Sequence, residues 1–431
     1  MFLIQFLQKR LPPAFTRHFL ISLFAIICVK ALSLISLPIF TNLLTLKEFG
    51  IWNIFFNTFA FICSLMMLGM NAPILRYFPQ HIGKSTARNF QDSIFTLLTL
   101  FCVALSIVLY MIQKPLSAFL NIPSEYASTF SWVGITGVFF TLINVSLYFF
   151  RVQKDFWENA IYMILLELVF VLGAIAALMK GWGVAGLLGS LMLSHGILGI
   201  YILLRYGMWQ KILLNRRLLG PCLALGIPSA AHALVLWGNT FSDRYLIQKF
   251  IGSEQVALYG LPCNLVITLV NFLMMPLNMV LGPHIVKTWE ENRKEAEKKL
   301  RATMRIYAVL VAAVIICMNF LIRPVVVFLS NPSYLRDLNV LPTFSIGIFC
   351  MGLYNVMAIY YLLHERLTLF VVLNCVGWVV NILMNVFLLP RIGIFASAIA
   401  AAVSHLIIFL LCLGGILFIL KGERKIPKAA P

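Results

Sequence analysis

The sequence predicts an all-α integral membrane protein with twelve transmembrane helices in two parallel six-helix repeats. Three observations support this fold class: the composition, the succession of apolar segments and an internal repeat. Of the 431 residues, 61% are hydrophobic and only 11% are charged, which is too apolar for a water-soluble globule. Because a spanning helix needs roughly 20 apolar residues, the chain has room for about a dozen.

The apolar segments are separated by charged residues, Pro or Gly. They predict helices over residues 19–43, 50–74, 91–113, 127–150, 157–179, 184–205, 219–248, 254–282, 303–329, 338–363, 367–389 and 394–420. Lys and Arg concentrate in the segments that lie inside if both termini are cytoplasmic, so the positive-inside rule predicts that orientation. Topology thus accounts for the net charge of +18, and we expect no nucleic acid partner.

An internal repeat divides the predicted helices into two sets of six. The segment from Gly183 to His195 matches that from Gly393 to His405 at an offset of 210 residues, with Gly at the start and Ser-His at the end of both. An even number of spans in each half makes the repeats parallel. We therefore expect an N-terminal lobe over residues 1–212 and a C-terminal lobe over residues 213–431.

Polar residues recur inside the second and eighth predicted helices at an offset of 207 residues. The matched pairs are Asn57 and Asn264, Ser64 and Asn271, and Asn71 and Asn278. Residues seven apart lie within about 20° of one another on a helix, so each set forms one stripe. Small amides often join neighbouring helices in membranes, but two matched stripes favour the lining of a polar cavity.

Two ionisable residues fall deep inside apolar segments. Lys30 lies about eleven residues into the first predicted helix, roughly 17 Å along it and near the bilayer midplane, and Glu167 is similarly deep in the fifth. Charges at this depth are costly and mark either an ion pair or a functional site. Two interpretations stay open: a structural Lys30/Glu167 ion pair, or an anion site beside a protonatable coupling carboxylate.

Three further charged residues lie near the ends of predicted helices. Asp243 and Arg244 fall toward the outer end of the seventh, and Arg76 falls at the inner end of the second. With Lys30 between them, cations at three depths suit an anionic headgroup that leaves water at one face and regains it at the other. A structural role remains open for two of these residues. Arg76 would then only set the membrane topology, and Asp243 would only hold Arg244 in place.

Nucleotide and metal motifs do not accompany these charges. Gly83-Lys84-Ser85-Thr86 resembles the end of a phosphate-binding loop, but Phe78 stands where that loop needs Gly and no predicted strand precedes it. The nine cysteines are scattered singly, and His195 and His405 have no acidic or Cys neighbours. We therefore expect no metal and no cofactor, with H⁺ or Na⁺ as candidate coupling ions.

Short patterns spread over nearly the whole chain carry a resemblance to a known family. They are Lys30 with Pro38-Ile39, Lys47-Glu48-Phe49-Gly50, Arg76-Tyr77-Phe78-Pro79, Gly226-Ile227-Pro228, Ser242-Asp243-Arg244-Tyr245 and Val256-Ala257-Leu258-Tyr259. In these patterns the chain resembles the polysaccharide transporter (Wzx-type flippase) family of the multidrug/oligosaccharidyl-lipid/polysaccharide (MOP) exporter superfamily.

The resemblance implies a two-lobed transporter with a V-shaped central cavity lined by helices one, two, seven and eight. Its implied substrate is undecaprenyl-diphosphate-linked oligosaccharide, such as the repeat unit of O-antigen lipopolysaccharide, capsule or exopolysaccharide. This lipid would move from the inner to the outer leaflet of the bacterial cytoplasmic membrane. Candidate partners are membrane lipids, a glycan polymerase and a chain-length regulator.

We therefore assign provisional roles to the polar residues within the predicted helices. Cations would attract the diphosphate or acidic sugars, amides would bind glycan, and Glu167 and Asp243 would form a coupling or charge pair. The substrate-binding candidates are Lys30, Arg244, Arg76, Asn57, Asn264, Asn271 and Asn278. Alternatives are a drug/cation antiporter of the same superfamily, disfavoured by scarce membrane acids, and a membrane enzyme, disfavoured by short outside loops.

Overall fold

The computed structural model describes the backbone of residues 13–84 and 86–424. Side chains are described for residues 20–84, 86–272, 285, 288, 289 and 291–419. Within these residues all regular structure is helical, and twelve segments are long and apolar enough to cross a membrane. The predicted fold class of an all-α, multi-pass membrane protein is confirmed.

The α-helices are numbered in chain order. They are α1 Pro13–Leu43, α2 Leu46–Met66, α3 Asn71–Tyr77, α4 Thr86–Phe119, α5 Thr129–Gln153, α6 Phe156–Met179, α7 Gly183–Tyr206, α8 Arg216–Phe250, α9 Ser253–Glu291, α10 Arg293–Leu329, α11 Val340–Leu363, α12 Leu367–Ile392 and α13 Phe395–Arg424. Short 3₁₀ turns lie at Phe78–Gln80, Ser124–Tyr126 and Pro332–Leu335. Helices α2 and α3 together form one span.

The second span is interrupted, whereas the sequence predicts one helix over residues 50–74. Between α2 and α3, Leu68 and Gly69 adopt φ angles of +45° and +63°, which cannot continue a right-handed helix. A Cβ atom on Gly69 would lie 2.2 Å from the carbonyl oxygen of Gly226 in α8. Glycine at position 69 therefore permits both the break and the close approach of α8.

The glycines that open the two copies of the 210-residue repeat both have a positive φ angle. Gly183 at the start of α7 has a φ of +52°, and Gly393 between α12 and α13 has a φ of +63°. Only glycine adopts such angles without steric cost. The turn that starts each helix therefore explains why glycine stands at both positions of the repeat.

The structure forms two compact units. The first comprises Met1–Leu234 and Leu329–Asn331, and the second comprises Val235–Phe328 and Pro332–Pro431. Helix α8 is therefore shared, with its first half in the first unit and its second half in the second. The lobe boundary expected after residue 212 stays a prediction; the close contact at Gly69 explains why the start of α8 belongs to the first unit.

The charged segment over residues 287–305 is helical on both sides of Asn292, where α9 ends and α10 begins. Lys299 and Glu295 form an ion pair at 3.0 Å, and Arg301 and Glu297 form another at 3.8 Å. Both are i, i+4 pairs on a largely exposed surface and contribute only about 0.3–0.5 kcal/mol each. The segment is thus a solvated helical extension.

Candidate functional site

The first unit contains a cavity of about 430 Å³ among its membrane-spanning helices. Its walls come from α2, the α2–α3 break, the start of α3, α5 and the first half of α8. This volume falls within the roughly 300–1,000 Å³ of small-molecule sites. The described lining residues are Phe56, Phe59, Ala60, Cys63, Ser64, Met67, Gly69, Asn71, Phe140, Asn144, Tyr148, Ser229, Ala230 and Ala233.

The cavity presents polar side chains whose donors are already bonded within their own helices. Ser64 Oγ donates to the Ala60 carbonyl at 2.8 Å, and Asn144 Nδ2 donates to the Phe140 carbonyl at 2.9 Å. Ser229 Oγ likewise bonds one turn back in α8. Because hydroxyl and amide oxygens can accept further hydrogen bonds, these residues can offer acceptors to a ligand rich in hydroxyl donors.

Aromatic rings form one wall of this cavity and are supported from behind. The Phe59 and Phe140 rings meet edge to face with centroids 5.3 Å apart. Buried His195 packs on both rings, at 5.7 and 5.8 Å, and its Nδ1 donates to the Leu191 carbonyl at 2.8 Å. His195 is therefore a packing residue that supports this aromatic wall.

A half-buried arginine adjoins the cavity at Tyr148. The Arg151 guanidinium lies 4.9 Å from the centroid of the Tyr148 ring, within the range of a cation–π contact. Its Nε donates to Asn159 Oδ1 at 3.0 Å, so α6 helps to orient the group. Arg151 was not predicted for the site because a cation at a helix end resembles a topology determinant; its i, i+3 spacing from an aromatic was the available signal.

The predicted Lys30 and Glu167 lie on the paired helices α1 and α6 of the same unit. Glu167 is half-buried, and its Oε1 accepts a hydrogen bond from Ser33 Oγ at 2.6 Å. Lys30, three residues before Ser33, is exposed and acts on Glu167 electrostatically. Among the described side chains no ion pair within 4.0 Å joins the two, so a serine hydroxyl is the direct partner of this carboxylate.

Arg244 of α8 is fully buried in the second unit. Its Nη1 donates to Asp243 Oδ1 and to the Thr240 carbonyl, each at 2.8 Å. Its Nη2 donates to Asn264 Oδ1 at 2.8 Å, while the Tyr259 hydroxyl donates to Asp243 Oδ2 at 2.6 Å. We call these four residues, Asp243, Arg244, Tyr259 and Asn264, the Arg244 network.

The Arg244 network brings together three residues that the sequence predicts for the site, namely Asp243, Arg244 and Asn264. Sequence reasoning did not assign Tyr259, although it stands one helical turn and a half before Asn264 in α9. The Arg244 guanidinium also stacks over the Phe241 and Tyr259 rings, at 4.9 and 5.7 Å. The network is therefore dense and enclosed, and Arg244 offers no exposed surface in this structure.

The remaining predicted residues lie apart from these clusters. Asn57 in α2 is buried and does not line the described cavity, whereas Asn271 in α9 is exposed. Arg76 is exposed at the end of α3, 5.7 Å from the Tyr77 ring centroid. The side chain of Asn278 falls outside the residues that the structure describes.

The structure therefore defines a multi-helix membrane protein with a polar and aromatic cavity among its spans, of a size that suits a small ligand. The sequence places it more narrowly. The chain belongs to the polysaccharide biosynthesis protein family, whose model matches residues 39–336. The family match agrees with the expected resemblance to a polysaccharide family.

Solved transporters share this fold at low sequence identity. The lipid II flippase MurJ in an inward closed conformation matches with a TM-score of 0.73 at 13% identity, over 93% of this chain and 87% of MurJ. An inward-facing MATE family multidrug transporter matches at 0.72 and 15%, over 93% and 96%. A MOP superfamily transporter from Pyrococcus furiosus matches at 0.66 and 13%, over 96% of each chain. In sequence, no curated protein matches.

Proposed function

We propose that the protein is a flippase that carries undecaprenyl-diphosphate-linked oligosaccharide from the inner to the outer leaflet of the bacterial cytoplasmic membrane. The observation that carries this proposal is the cavity of the first unit, in which amide and hydroxyl groups alternate with aromatic rings. The family of polysaccharide biosynthesis proteins supports a glycan as the transported group. Both termini would be cytoplasmic, as the positive-inside rule predicts.

The chemistry of the cavity answers the physical problem of moving a sugar through hydrocarbon. Each hydroxyl transferred without a hydrogen-bond partner costs about 4–8 kcal/mol on a water-to-cyclohexane scale. Acceptors on Ser64, Asn144 and Ser229 would replace part of the lost hydration, while Phe59 and Phe140 would contact the apolar faces of sugar rings. The polyprenyl chain could remain in the hydrocarbon of the bilayer throughout, so moving it across needs no polar partners.

The anionic diphosphate requires cations within reach. We assign this role to Lys30, which is exposed on α1, and to Arg151 beside the cavity. Arg76 would attract the headgroup to the inner mouth. Arg244 can take part only if an anion displaces Asp243 or Asn264 from its guanidinium, because both bonds are made at 2.8 Å here.

Coupling to an ion gradient, by H⁺ or Na⁺, would use Glu167. Its carboxylate is half-buried at membrane depth and bonded to the neutral Ser33 hydroxyl, so it can gain or lose a cation without breaking an ion pair. Asp243 is less suited to this task because Arg244 and Tyr259 hold both of its oxygens. A Glu167→Gln variant whose transport still responds to imposed pH and Na⁺ gradients as the wild type does would refute this assignment.

Two asparagines provide a matched test of the glycan assignment. Asn144 and Asn42 each donate from Nδ2 to the carbonyl four residues earlier, at 2.9 and 2.8 Å, but only Asn144 lines the cavity. In proteoliposomes loaded with undecaprenyl-diphosphate-linked oligosaccharide, we expect Asn144→Leu to slow flipping roughly 3- to 10-fold, the loss of one hydrogen bond. Asn42→Leu should leave it unchanged.

A drug/cation antiporter is the alternative, since the fold is shared with MATE transporters. The described lining of the cavity contains no Asp or Glu, which disfavours an organic cation there. Exchange of organic cations for protons by the same proteoliposomes, without flipping of the lipid-linked glycan, would overturn the proposal. A glycan polymerase and a chain-length regulator would be downstream partners of a flippase, testable by co-purification.

A further inference from the structure

The connection between α7 and α8 lies bound along the surface of α4. We call residues 207–213 of this connection the strap; they form no regular helix. In the sequence they look like a simple linker between the two six-helix halves. In the structure they are held by side chains from one face of α4.

Three residues at successive i, i+4 positions of α4 make these contacts. Arg88 Nη1 donates to the Gly207 carbonyl at 2.6 Å. The backbone N–H of Gln210 donates to Asp92 Oδ1 at 2.9 Å, and that of Leu213 donates to Thr96 Oγ1 at 3.1 Å. Backbone groups at the start, middle and end of the strap therefore have α4 side chains as partners.

Side chains of the strap reinforce this attachment. Trp209 Nε1 donates to Thr96 Oγ1 at 3.2 Å and to the Lys211 carbonyl at 3.1 Å. Met208 is buried and belongs to the same hydrophobic core cluster as Phe90 and Phe149. A flexible tether would place neither a tryptophan N–H nor a methionine in such sites, so the strap is an ordered part of the unit.

The strap leads directly into the first half of α8, which contacts the α2–α3 break. Asn215 accepts the backbone N–H of Arg217 at 3.1 Å and so caps the first turn of α8. Three turns further along α8, the backbone of Gly226 lies against Gly69. A Cβ atom on Gly69 would lie 2.2 Å from the Gly226 carbonyl oxygen, and a Cβ atom on Gly226 would lie 2.6 Å from the Leu68 carbonyl oxygen. The first half of α8 is thus fixed at its start and again at Gly226.

We propose that the strap is a permanent anchor, which holds the first half of α8 to the first unit throughout transport. Thr96 is the main positioning residue, because its hydroxyl bonds both Leu213 and Trp209 of the strap. Asp92 is the second, because it is fully buried and bonds the strap backbone. The transport half of this proposal rests on the proposed function, whereas the anchoring half does not.

Hydrogen–deuterium exchange of the purified full chain tests the anchor directly. Thr96→Val removes the hydroxyl at constant shape, and we expect amide exchange over residues 209–214 to accelerate about tenfold, as the loss of one to two hydrogen bonds predicts. Thr96→Ser keeps the hydroxyl and should stay within about twofold of wild type. Thr99→Val, on the same helix without a strap contact, is the matched control and should not change the strap.

Trp209→Phe supplies a second route if Thr96→Val folds poorly, since it removes the indole N–H while keeping an aromatic ring; we expect about threefold faster exchange. The anchor is overturned if these variants leave strap exchange unchanged, or if exchange of the α5 core rises equally.

In flipping assays, Thr96→Val should lower the rate at least about threefold and Thr96→Ser should restore it. If Thr96→Val accelerates exchange in the strap but flips lipid-linked glycan at the wild-type rate, the strap has no role in transport. If the wild-type protein does not flip this lipid at all, the proposed function is wrong.

Discussion

The cavity of the first unit and the Arg244 network of the second show two fates for matched polar residues. Asn57 and Asn264 stand 207 residues apart, at equivalent positions of the two polar stripes. Asn264 Oδ1 accepts a charged hydrogen bond from Arg244 at 2.8 Å, whereas Asn57 Nδ2 is buried without a partner among the described residues. The same residue type in the same repeat position therefore belongs to a dense network in one unit only.

The difference follows from the helix that precedes each stripe. At the offset of 207 residues, Asp243 and Arg244 of α8 correspond to Ser36 and Leu37 of α1. A buried guanidinium needs several acceptors, and it gathers Asp243, Asn264 and a backbone carbonyl around itself. Without such a cation, the first unit keeps its polar groups dispersed, and some of them line an open cavity. The arginine at position 244, where the first unit has Leu37, thus distinguishes the structural cluster of the second unit from the candidate binding surface of the first.

The largest effect is expected when the cation of the network is removed. Arg244→Met should destabilise the purified protein by about 3–5 kcal/mol, because Asp243 then remains buried as an unpaired charge. The double variant Asp243→Asn/Arg244→Met should recover at least about half of this loss. Equilibrium unfolding in detergent measures both. Equal destabilisation by the single and double variants would show that the network is not held together by this charge pair.

A smaller effect is expected where α8 contacts the α2–α3 break. Gly69→Ala should cost about 2–4 kcal/mol, because the residue has a positive φ and its new Cβ would overlap the Gly226 carbonyl. Gly83 has a φ of +77° with open space around it, so Gly83→Ala carries the backbone strain alone, about 1–2 kcal/mol. If the two variants unfold at the same denaturant concentration, the close approach of α8 is not a source of stability.

The matched amides give the most direct test of the comparison. Asn264→Leu should cost about 1.5–3 kcal/mol, the value of a hydrogen bond to a charged group. Asn57→Leu should lie within about 1 kcal/mol of wild type, since replacing an unpartnered buried amide by an apolar group of similar size is close to neutral. The same unfolding measurement applies to both. A larger loss at Asn57 than at Asn264 would reverse the contrast drawn between the two units.

Part of the candidate site could be predicted because its signal is local. The stripe at Ser64 and Asn71 follows from helical periodicity, and both residues line the cavity. Asn144 and Tyr148 could not be found in this way, since their helix has no counterpart stripe in the sequence. Arg151 was passed over because a cation at a helix end is common in membrane proteins; only its position above the Tyr148 ring distinguishes it.

By itself, the sequence determined that this chain crosses the membrane many times, that it contains an internal repeat and that it belongs to a polysaccharide biosynthesis family. These properties depend on hydrophobic length and on residue order, which are written along the chain. The tertiary structure decided which polar side chains are hydrogen-bonded within the protein and which can still bond a ligand. Arg244 is enclosed and the strap is bound because distant helices supply their partners, and sequence spacing does not encode which helices meet.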